Sequence, residues 1–190
     1  MASGLCLVLG GVRSGKSAFA ESRVALLSQA AGGPSTLYVA TGVATDDEMK
    51  ERIRRHRASR PQHWSTLEEP VKLAERLAPE LQGAQSPGAV IIDSLDVWVA
   101  NLLLENGANK RQATEETVIA AADKLLALVA ASSQGFVMVS SEVGLSLVPP
   151  DPLGRRFQDL LGLVNQKIAA AATEVFLVVA GLPNQIKPQV

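Results

Sequence analysis

Eight residues near the N-terminus carry the clearest chemical pattern in the chain. Gly10-Gly11-Val12-Arg13-Ser14-Gly15-Lys16-Ser17 matches G-x-x-x-x-G-K-[ST] and lies between an apolar run and a helical pattern. Glycines let the backbone curl so that its N–H groups face phosphate oxygens, and the helix start adds partial positive charge. Lys16 can then reach the β- and γ-phosphates, and the Ser17 hydroxyl can bind Mg²⁺. The pattern predicts a nucleoside triphosphate site; the alternative is a glycine-rich strand–helix turn that binds nothing.

A carboxylate in the middle of the chain suits the same site. Asp93 directly follows the apolar run at 89–92, which has the composition of a buried strand. Ligands of open α/β sheets lie at the carboxyl ends of the strands, so Asp93 could contact Mg²⁺ or nucleotide. The alternative is that Asp93 or Ser94 caps the helix expected from Leu95 onwards.

Of the two histidines, only His56 has neighbours that suggest a reaction. It shares a helical face with Met49 and Ile53, and it is surrounded by Arg52, Arg54, Arg55 and Arg57. The guanidinium groups favour the neutral imidazole, which is a nucleophile, and they can neutralise a phosphoryl group under attack. The alternative is a solvated basic face with a packing histidine. The second histidine, at position 63, suggests packing at a strand entry.

The elements that must position these residues alternate along the chain. Short, continuous apolar runs at 5–9, 36–40, 89–92, 136–139 and 175–179 predict strands buried on both faces. Helical patterns lie between them at 17–30, 46–58, 70–81, 95–105, 114–132 and 152–173. This alternation predicts a three-layer α/β domain with a mostly parallel central sheet, of the kind that carries a phosphate-binding loop.

The composition favours a globular protein and disfavours nucleic-acid binding and membrane insertion. The chain has 190 residues, of which 47% are hydrophobic and 19% charged, and this favours one globular domain spanning 1–190. A formal net charge of −1 gives no overall field for nucleic acid. Cys6, the sole cysteine, has no partner for an intrachain disulfide and is expected to be a small buried hydrophobe. No stretch suits a membrane span or a signal peptide, so we expect no membrane insertion and a cytoplasmic location.

Further motifs accompany the loop over nearly the whole length of the chain. They are Tyr38-Val39-Ala40-Thr41, Asp46-Asp47-Glu48-Met49, Arg52-Ile53, His56, Arg60-Pro61-Gln62-His63-Trp64, Asn101-Leu102-Leu103, Ser141-Glu142-Val143-Gly144, Arg156-Phe157-Gln158-Asp159, Val164-Asn165-Gln166 and the alanine-rich run at 169–172. In this combination the sequence resembles the bifunctional adenosylcobinamide kinase/adenosylcobinamide-phosphate guanylyltransferase family of cobalamin biosynthesis.

The resemblance implies two reactions and a set of site residues. One reaction moves a γ-phosphoryl group from ATP or GTP to the hydroxyl of adenosylcobinamide. The other moves GMP from GTP to the resulting phosphate through a covalent adduct on His56, with Lys16 as the other catalytic residue. The implied nucleotide contacts beyond the loop are Thr41, Gly42, Arg57, Ala58, Ser59, Arg60, Glu68 and Asp93, and the implied Mg²⁺ ligands are Ser17 and Asp93. Related enzymes form trimers, so a homo-oligomer is expected, with three chains as the expected number.

Two departures from the family pattern, and one open assignment, accompany the resemblance. Arg55 stands where some relatives have a second histidine, and Asp93 stands where relatives can have glutamate, whose side chain is one methylene longer. Glu142 is either a base or substrate contact, or a structural carboxylate at a strand end.

Two other functions compete with the bifunctional enzyme. A kinase without nucleotidyl transfer needs the loop and Asp93 but not His56, and a GTP-dependent switch lacks its N-K-x-D motif here. If both reactions occur, the α-phosphate must reach His56. This predicts either two nucleotide poses or a movable helix over 46–58.

Overall fold

One twisted sheet forms the middle of the molecule. The structure is a computed structural model that describes residues 4–32, 35–43, 47, 51, 54, 57, 60–83, 85–108 and 114–188, with only the backbone at 105–108. Its strands are β1 (Leu5–Gly10), β2 (Thr36–Ala40), β3 (Ser65–Glu68), β4 (Ala89–Asp93), β5 (Gly135–Ser141), β6 (Glu174–Val179) and β7 (Leu182–Lys187). Within the described residues their order is β3-β2-β4-β5-β1-β6-β7, and β7 alone runs antiparallel to its neighbour.

Helices cover both faces of this sheet. They are α1 (Lys16–Ala30), α2 (Leu73–Leu77) with a 3₁₀ turn (Ala78–Leu81), α3 (Leu95–Ala108), α4 (Glu115–Ala131) and α5 (Pro152–Ala171). Side-chain caps explain two of the starts, because Thr114 accepts the N–H of Thr117 and Asp151 accepts that of Gly154. Among the described residues, none of the helices combines the length and the apolar character needed to cross a bilayer.

The continuous apolar runs are explained by burial on both faces. In β1, Cys6 and Val8 pack with α1, whereas Leu5, Leu7 and Leu9 join the larger core formed with α2 to α5. Successive side chains of a strand point to opposite faces, so both sets must be apolar when helices cover both sides. Cys6 is 1% exposed, which confirms that it is a buried small hydrophobe.

The sheet and most of its elements confirm the sequence-based expectation, with three differences. β3 and β7 were not predicted, since they are short edge strands with the polar sequences STLE and LPNQIK. The helix predicted at 70–81 is wrong at its start: the Glu69 carboxylate accepts the N–H groups of Val71 and Lys72 at 2.9 and 2.8 Å, so helix α2 begins only at Leu73. Of the helix predicted at 46–58, the structure describes residues 47, 51, 54 and 57, all helical.

The parallel register brings five strand ends to one edge of the sheet. Gly10 of β1 is opposite Ser141 of β5, and Ala40 of β2 is opposite both Asp93 of β4 and Glu68 of β3. Open α/β sheets bind their ligands at this carboxyl edge. Chain segments far apart in sequence therefore meet where the phosphate-binding loop begins.

Candidate active site

The loop from Gly10 to Ser17 leaves β1 and enters α1 in a conformation that needs glycine. A Cβ at Gly10 would lie 2.4 Å from the Ser14 Oγ and 2.8 Å from the Val178 carbonyl oxygen, closer than real Cβ atoms approach. Arg13 and Gly15 have φ angles of 56° and 93°, which curl the backbone. This tight curl is the geometry that turns backbone N–H groups toward an anion.

Lys16 folds back over the loop that precedes it. Its Nζ donates a hydrogen bond to the Gly11 carbonyl oxygen at 3.2 Å. Because Lys16 is also the first residue of α1, its charge adds to the positive end of that helix. The lysine and the helix start together form the cationic side of the predicted triphosphate site.

A hairpin turn from the far end of the chain supports the loop. The Gly181 N–H donates to the Ser14 carbonyl oxygen at 2.8 Å, and a Cβ at Gly15 would lie 3.2 Å from the Gly181 Cα. Ala180 and Gly181 have φ angles of 51° and 82°, as the tight turn between β6 and β7 requires. Sequence reasoning missed this support; the Ala-Gly pair after an apolar run was the available signal.

Asp93 ends β4 on the face of the sheet that α1 covers. The Tyr38 hydroxyl donates a hydrogen bond to the Asp93 Oδ2 at 2.7 Å. Burial, and then the Asp93 carboxylate, raise the pKa of Tyr38 far above its usual range, so the phenol stays protonated and keeps donating. Tyr38 therefore orients the carboxylate that the sequence places at the metal or nucleotide site.

Two further charges surround this carboxylate. The Arg60 guanidinium carbon lies 3.5 Å from the centre of the Tyr38 ring, a cation–π contact. Burial raises the pKa of Glu21, and the Asp93 charge raises it further, whereas Arg60 lowers it. Glu21 lies one helical turn after Ser17, so the phosphate-binding helix contributes a second carboxylate near Asp93. Sequence reasoning missed Glu21 and Tyr38; the spacing of Glu21 from Ser17 was the signal.

Thr41 follows β2 and is bonded within the protein. It is 0% exposed; its Oγ1 accepts the Ser94 N–H at 2.8 Å and donates to the Ser94 carbonyl oxygen at 2.8 Å. Its own carbonyl oxygen accepts from Asn101 at 2.8 Å. A nucleotide contact by the Thr41 side chain would have to replace one of these bonds, whereas the adjacent Gly42 is exposed. Both contacts remain predictions.

An ion pair joins Arg57 to the end of β3. The Arg57 Nη1 lies 3.4 Å from the Glu68 Oε1, and both side chains are largely exposed. Glu68 ends β3, and Arg57 directly follows His56 in the chain. The ion pair thus places Arg57 near the carboxyl edge of the sheet. His56, Ala58 and Ser59 lie outside the described residues, so their predicted roles stay predictions.

The oxygen ligands at this edge suit Mg²⁺ better than a transition metal. The described residues contain no group of three or more His, Cys, Asp or Glu side chains that could hold a metal ion by themselves. Mg²⁺ usually keeps several waters and takes one or two protein ligands together with phosphate oxygens. Ser17 and Asp93 offer such a set, and the repulsion between Asp93 and Glu21 marks a place that a cation would stabilise.

Comparisons with known proteins place the chain in one enzyme family. The sequence model of the family described as "Cobinamide kinase / cobinamide phosphate guanyltransferase" matches residues 6–186. The chain is 39% identical over 189 residues to the bifunctional adenosylcobalamin biosynthesis protein CobU of Escherichia coli, covering 96% of this chain and 99% of that protein. It is 40% identical over 181 residues to the bifunctional adenosylcobalamin biosynthesis protein CobP of Pseudomonas aeruginosa, with 95% and 96% covered.

A solved structure shares the architecture. The flagellar accessory protein FlaH of Methanocaldococcus jannaschii aligns with a TM-score of 0.50 at 14% sequence identity, over 93% of this chain and 71% of that one. At this identity the likeness shows the α/β fold alone.

Proposed function

Because this chain belongs to the cobinamide kinase/cobinamide phosphate guanyltransferase family, we propose that it phosphorylates adenosylcobinamide and then transfers GMP to the product. ATP or GTP serves the first reaction, and GTP serves the second. One observation carries the proposal: the carboxyl edge of the sheet holds both the phosphate-binding loop and the Arg57–Glu68 pair, and Arg57 directly follows His56 in the chain. A kinase alone would need only the first of these.

The loop and its helix bind the triphosphate in the first reaction. Backbone N–H groups between Gly10 and Ser17 surround the β- and γ-phosphates, and Lys16 exchanges its bond to the Gly11 carbonyl for phosphate oxygens. Ser17 and Asp93 would hold Mg²⁺, which when bound would neutralise charge on the phosphate oxygens. The Tyr38 hydroxyl keeps Asp93 oriented throughout, because its raised pKa prevents ionisation.

A covalent adduct divides the second reaction into two steps. A ring nitrogen of His56 attacks the α-phosphorus of GTP; the P–N bond forms, the α–β P–O bond breaks, and pyrophosphate leaves. A phosphate oxygen of cobinamide phosphate then attacks the same phosphorus, and the P–N bond breaks to release the histidine. Arg57, Arg60, Glu68, Gly42, Thr41, Ala58 and Ser59 are the proposed contacts of the bound guanine nucleotide.

The phosphate-binding loop and the end of β3 lie several strands apart, which affects how one bound nucleotide can serve both reactions. Four inter-strand intervals of about 4.8 Å separate β3 from β1, which is a distance of roughly 19 Å between the Glu68 end and the loop. Arg60 spans part of this gap, since it stacks on Tyr38 of β2. The α-phosphate therefore reaches His56 through a second nucleotide pose or through movement of the segment at 46–58.

Other properties follow from the same proposal. Residues 1–190 act as one catalytic domain with small-molecule substrates, without nucleic acid or membrane insertion. The enzyme works in the cytoplasm as a homo-oligomer, for which a trimer is proposed.

Labelling with GTP tests the two-reaction proposal against a simple kinase. The protein is incubated with α-³²P-GTP and denatured, and the expected result is an acid-labile, alkali-stable label that His56→Ala abolishes. His63→Ala is the matched control: His63 is exposed, and its loss should leave the label intact. A wild-type protein that phosphorylates cobinamide but acquires no label would establish the simple kinase.

A further inference from the structure

The Ser141–Gly144 segment lies between the two parts of the phosphate site. It leaves β5, which pairs with β1 on one side and with β4 on the other. The Glu142 N–H donates to the Gly10 carbonyl oxygen at 3.2 Å, so Glu142 begins beside the first residue of the loop. The two proposed reactions assign no role to this carboxylate.

The Glu142 carboxylate is oriented by a bond to its own turn. The Gly144 N–H donates to its Oε1 at 2.6 Å, which leaves Oε2 without a hydrogen bond to the part of the chain that the structure describes. A Cβ at Gly144 would lie 2.9 Å from the same Oε1, so glycine is needed for the carboxylate to fold back in this way. Glu142 is partly exposed and can reach a ligand at the sheet edge.

Helix α5 holds this segment in place through two amide side chains. Gln158 donates to the Val143 carbonyl oxygen at 2.6 Å. Asn165 accepts from the Ser140 hydroxyl at 2.7 Å and donates to the Ser141 carbonyl oxygen at 3.0 Å. The two amides are seven residues apart, about two helical turns, and so share one face. Their motifs in the sequence are explained by this contact, which positions Glu142.

Asp96 is a nearby carboxylate with a different role. Its Oδ2 accepts from the Ser141 hydroxyl at 2.8 Å, and its Oδ1 is buried without a partner among the described residues. One oxygen is therefore already engaged by Ser141 and the other is buried. Asp96 therefore supports the end of β5 from the side of α3, and Glu142 is the accessible carboxylate.

We propose that Glu142 is the general base of the kinase reaction. This inference rests on the proposed function. Glu142 accepts the proton of the substrate hydroxyl as that oxygen bonds to the γ-phosphorus. The bond from the γ-phosphorus to the β–γ bridging oxygen breaks, its electron pair leaves with the nucleoside diphosphate, and the proton passes from Glu142 to water.

The two reactions differ in their need for such a base. An alcohol must lose a proton to become the phosphate ester, and positioned bases contribute to such steps. The acceptor of the GMP transfer is a phosphate that is already ionised near neutral pH, because the second pKa of a phosphate monoester is about 6. Loss of Glu142 should therefore affect the kinase reaction and spare the transfer.

The decisive variant is Glu142→Gln, which keeps an oxygen for the Gly144 N–H and removes only the basicity. We expect kinase kcat to fall about 100-fold, the lower end of the range for general acid–base catalysis. Adduct formation from GTP, and GMP transfer to supplied cobinamide phosphate, should stay within about twofold of wild type, since neither step deprotonates an alcohol. Glu80→Gln, in the exposed 3₁₀ turn, is the matched control and should change neither reaction.

A second variant tests the orientation of the carboxylate without removing it. Gly144→Ala places a methyl group against Oε1, and Gly144 does not have the positive φ that would strain an alanine. Displacement of the carboxylate should lower kinase kcat about tenfold with little change in the KM for nucleotide.

The outcomes separate this inference from the proposed function. Full kinase activity in Glu142→Gln would overturn the role of Glu142 while leaving both reactions in place. Equal loss of kinase and transfer activity, or a lowered melting temperature, would show a structural carboxylate instead. A wild-type protein without kinase activity would overturn the proposed function and this inference with it.

Discussion

Replacing Thr41 with valine tests whether this residue holds the sheet edge together or contacts nucleotide. The two side chains have nearly the same shape, so the change removes one hydroxyl from a site that is 0% exposed. In the native protein that hydroxyl both accepts from and donates to the backbone of Ser94, with each bond at 2.8 Å. Ser94 is 7% exposed and directly follows Asp93.

The expected loss of stability follows mainly from the bond that Ser94 cannot replace. Thr41→Val leaves the buried Ser94 N–H without its acceptor, whereas the Ser94 carbonyl oxygen keeps the Trp98 N–H at 3.1 Å. One unsatisfied buried group costs about 1–3 kcal/mol. The free energy of unfolding should therefore fall by about 1–3 kcal/mol, against the 5–15 kcal/mol typical of a domain. With a urea m-value near 2 kcal/mol/M, the unfolding midpoint should fall by about 0.5–1.5 M.

Urea unfolding followed by tryptophan fluorescence measures this shift in the absence of nucleotide. Trp98 is 1% exposed, so its emission reports loss of the core. Thr36→Val, in the first residue of β2, is a control of the same chemistry: the Thr36 Oγ1 is buried and has no hydrogen bond among the described residues. Removing that unpartnered hydroxyl should leave the free energy of unfolding unchanged, or raise it by about 1 kcal/mol.

The free energy of unfolding should fall in Thr41→Val and not in Thr36→Val. The two variants differ in this way only if the lost hydrogen bonds, and not the loss of a hydroxyl as such, determine stability. An unfolding midpoint of Thr41→Val equal to wild type, together with a raised KM for nucleotide, would refute the reasoning. Thr41 would then be a nucleotide contact, as the resemblance implied. Equal destabilisation by both variants would refute it as well.

Three further outcomes are expected. Burial raises the pKa of Cys6 to about 11, so its thiol should react with a disulfide reagent at pH 8 only after urea unfolding; rapid labelling of the native protein would contradict this. Asp151→Ala removes the acceptor of the Gly154 N–H at 2.7 Å and should lower the free energy of unfolding by about 1 kcal/mol in urea titrations, whereas Asp151→Asn should recover most of it. Because the pKa of Glu21 is raised in the folded state, its ionisation opposes folding above its ordinary pKa of 4.5, and Glu21→Gln should stabilise the protein at pH 7.5. That gain should vanish as the pH falls below 4.5, and a gain independent of pH would contradict the assignment.

Local patterns made the loop and the main strands predictable. Residues 10–17 are contiguous, and the conformation of the loop depends on where its own glycines stand. β1, β2, β4, β5 and β6 are apolar because both faces are covered, and that requirement is visible in composition. β3 and β7 could not be found in this way. They are the two edge strands of the sheet that the structure describes, so each pairs with a single neighbouring strand and does not need to be apolar on both faces.

The surroundings of the site were less predictable than the motifs. Asp93 was expected at the strand end, but its orientation comes from Tyr38, 55 residues away in the chain. The motif that contains Gln158 could be seen in the sequence, but its role could not. The structure shows that Gln158 bonds to the segment that follows β5. The roles of His56 and of the other proposed nucleotide contacts stay predictions.

The sequence alone determined the triphosphate loop, the buried strands, the α/β class and the family. These depend on short-range backbone geometry and on burial, both of which leave a pattern within a few residues. Only the tertiary structure decided that Gly181 supports Ser14, that Tyr38 orients Asp93 and that α5 positions Glu142 beside Gly10. Such contacts join residues from distant parts of the chain, and they exist only when strand order and register have brought the carboxyl ends of parallel strands to one edge.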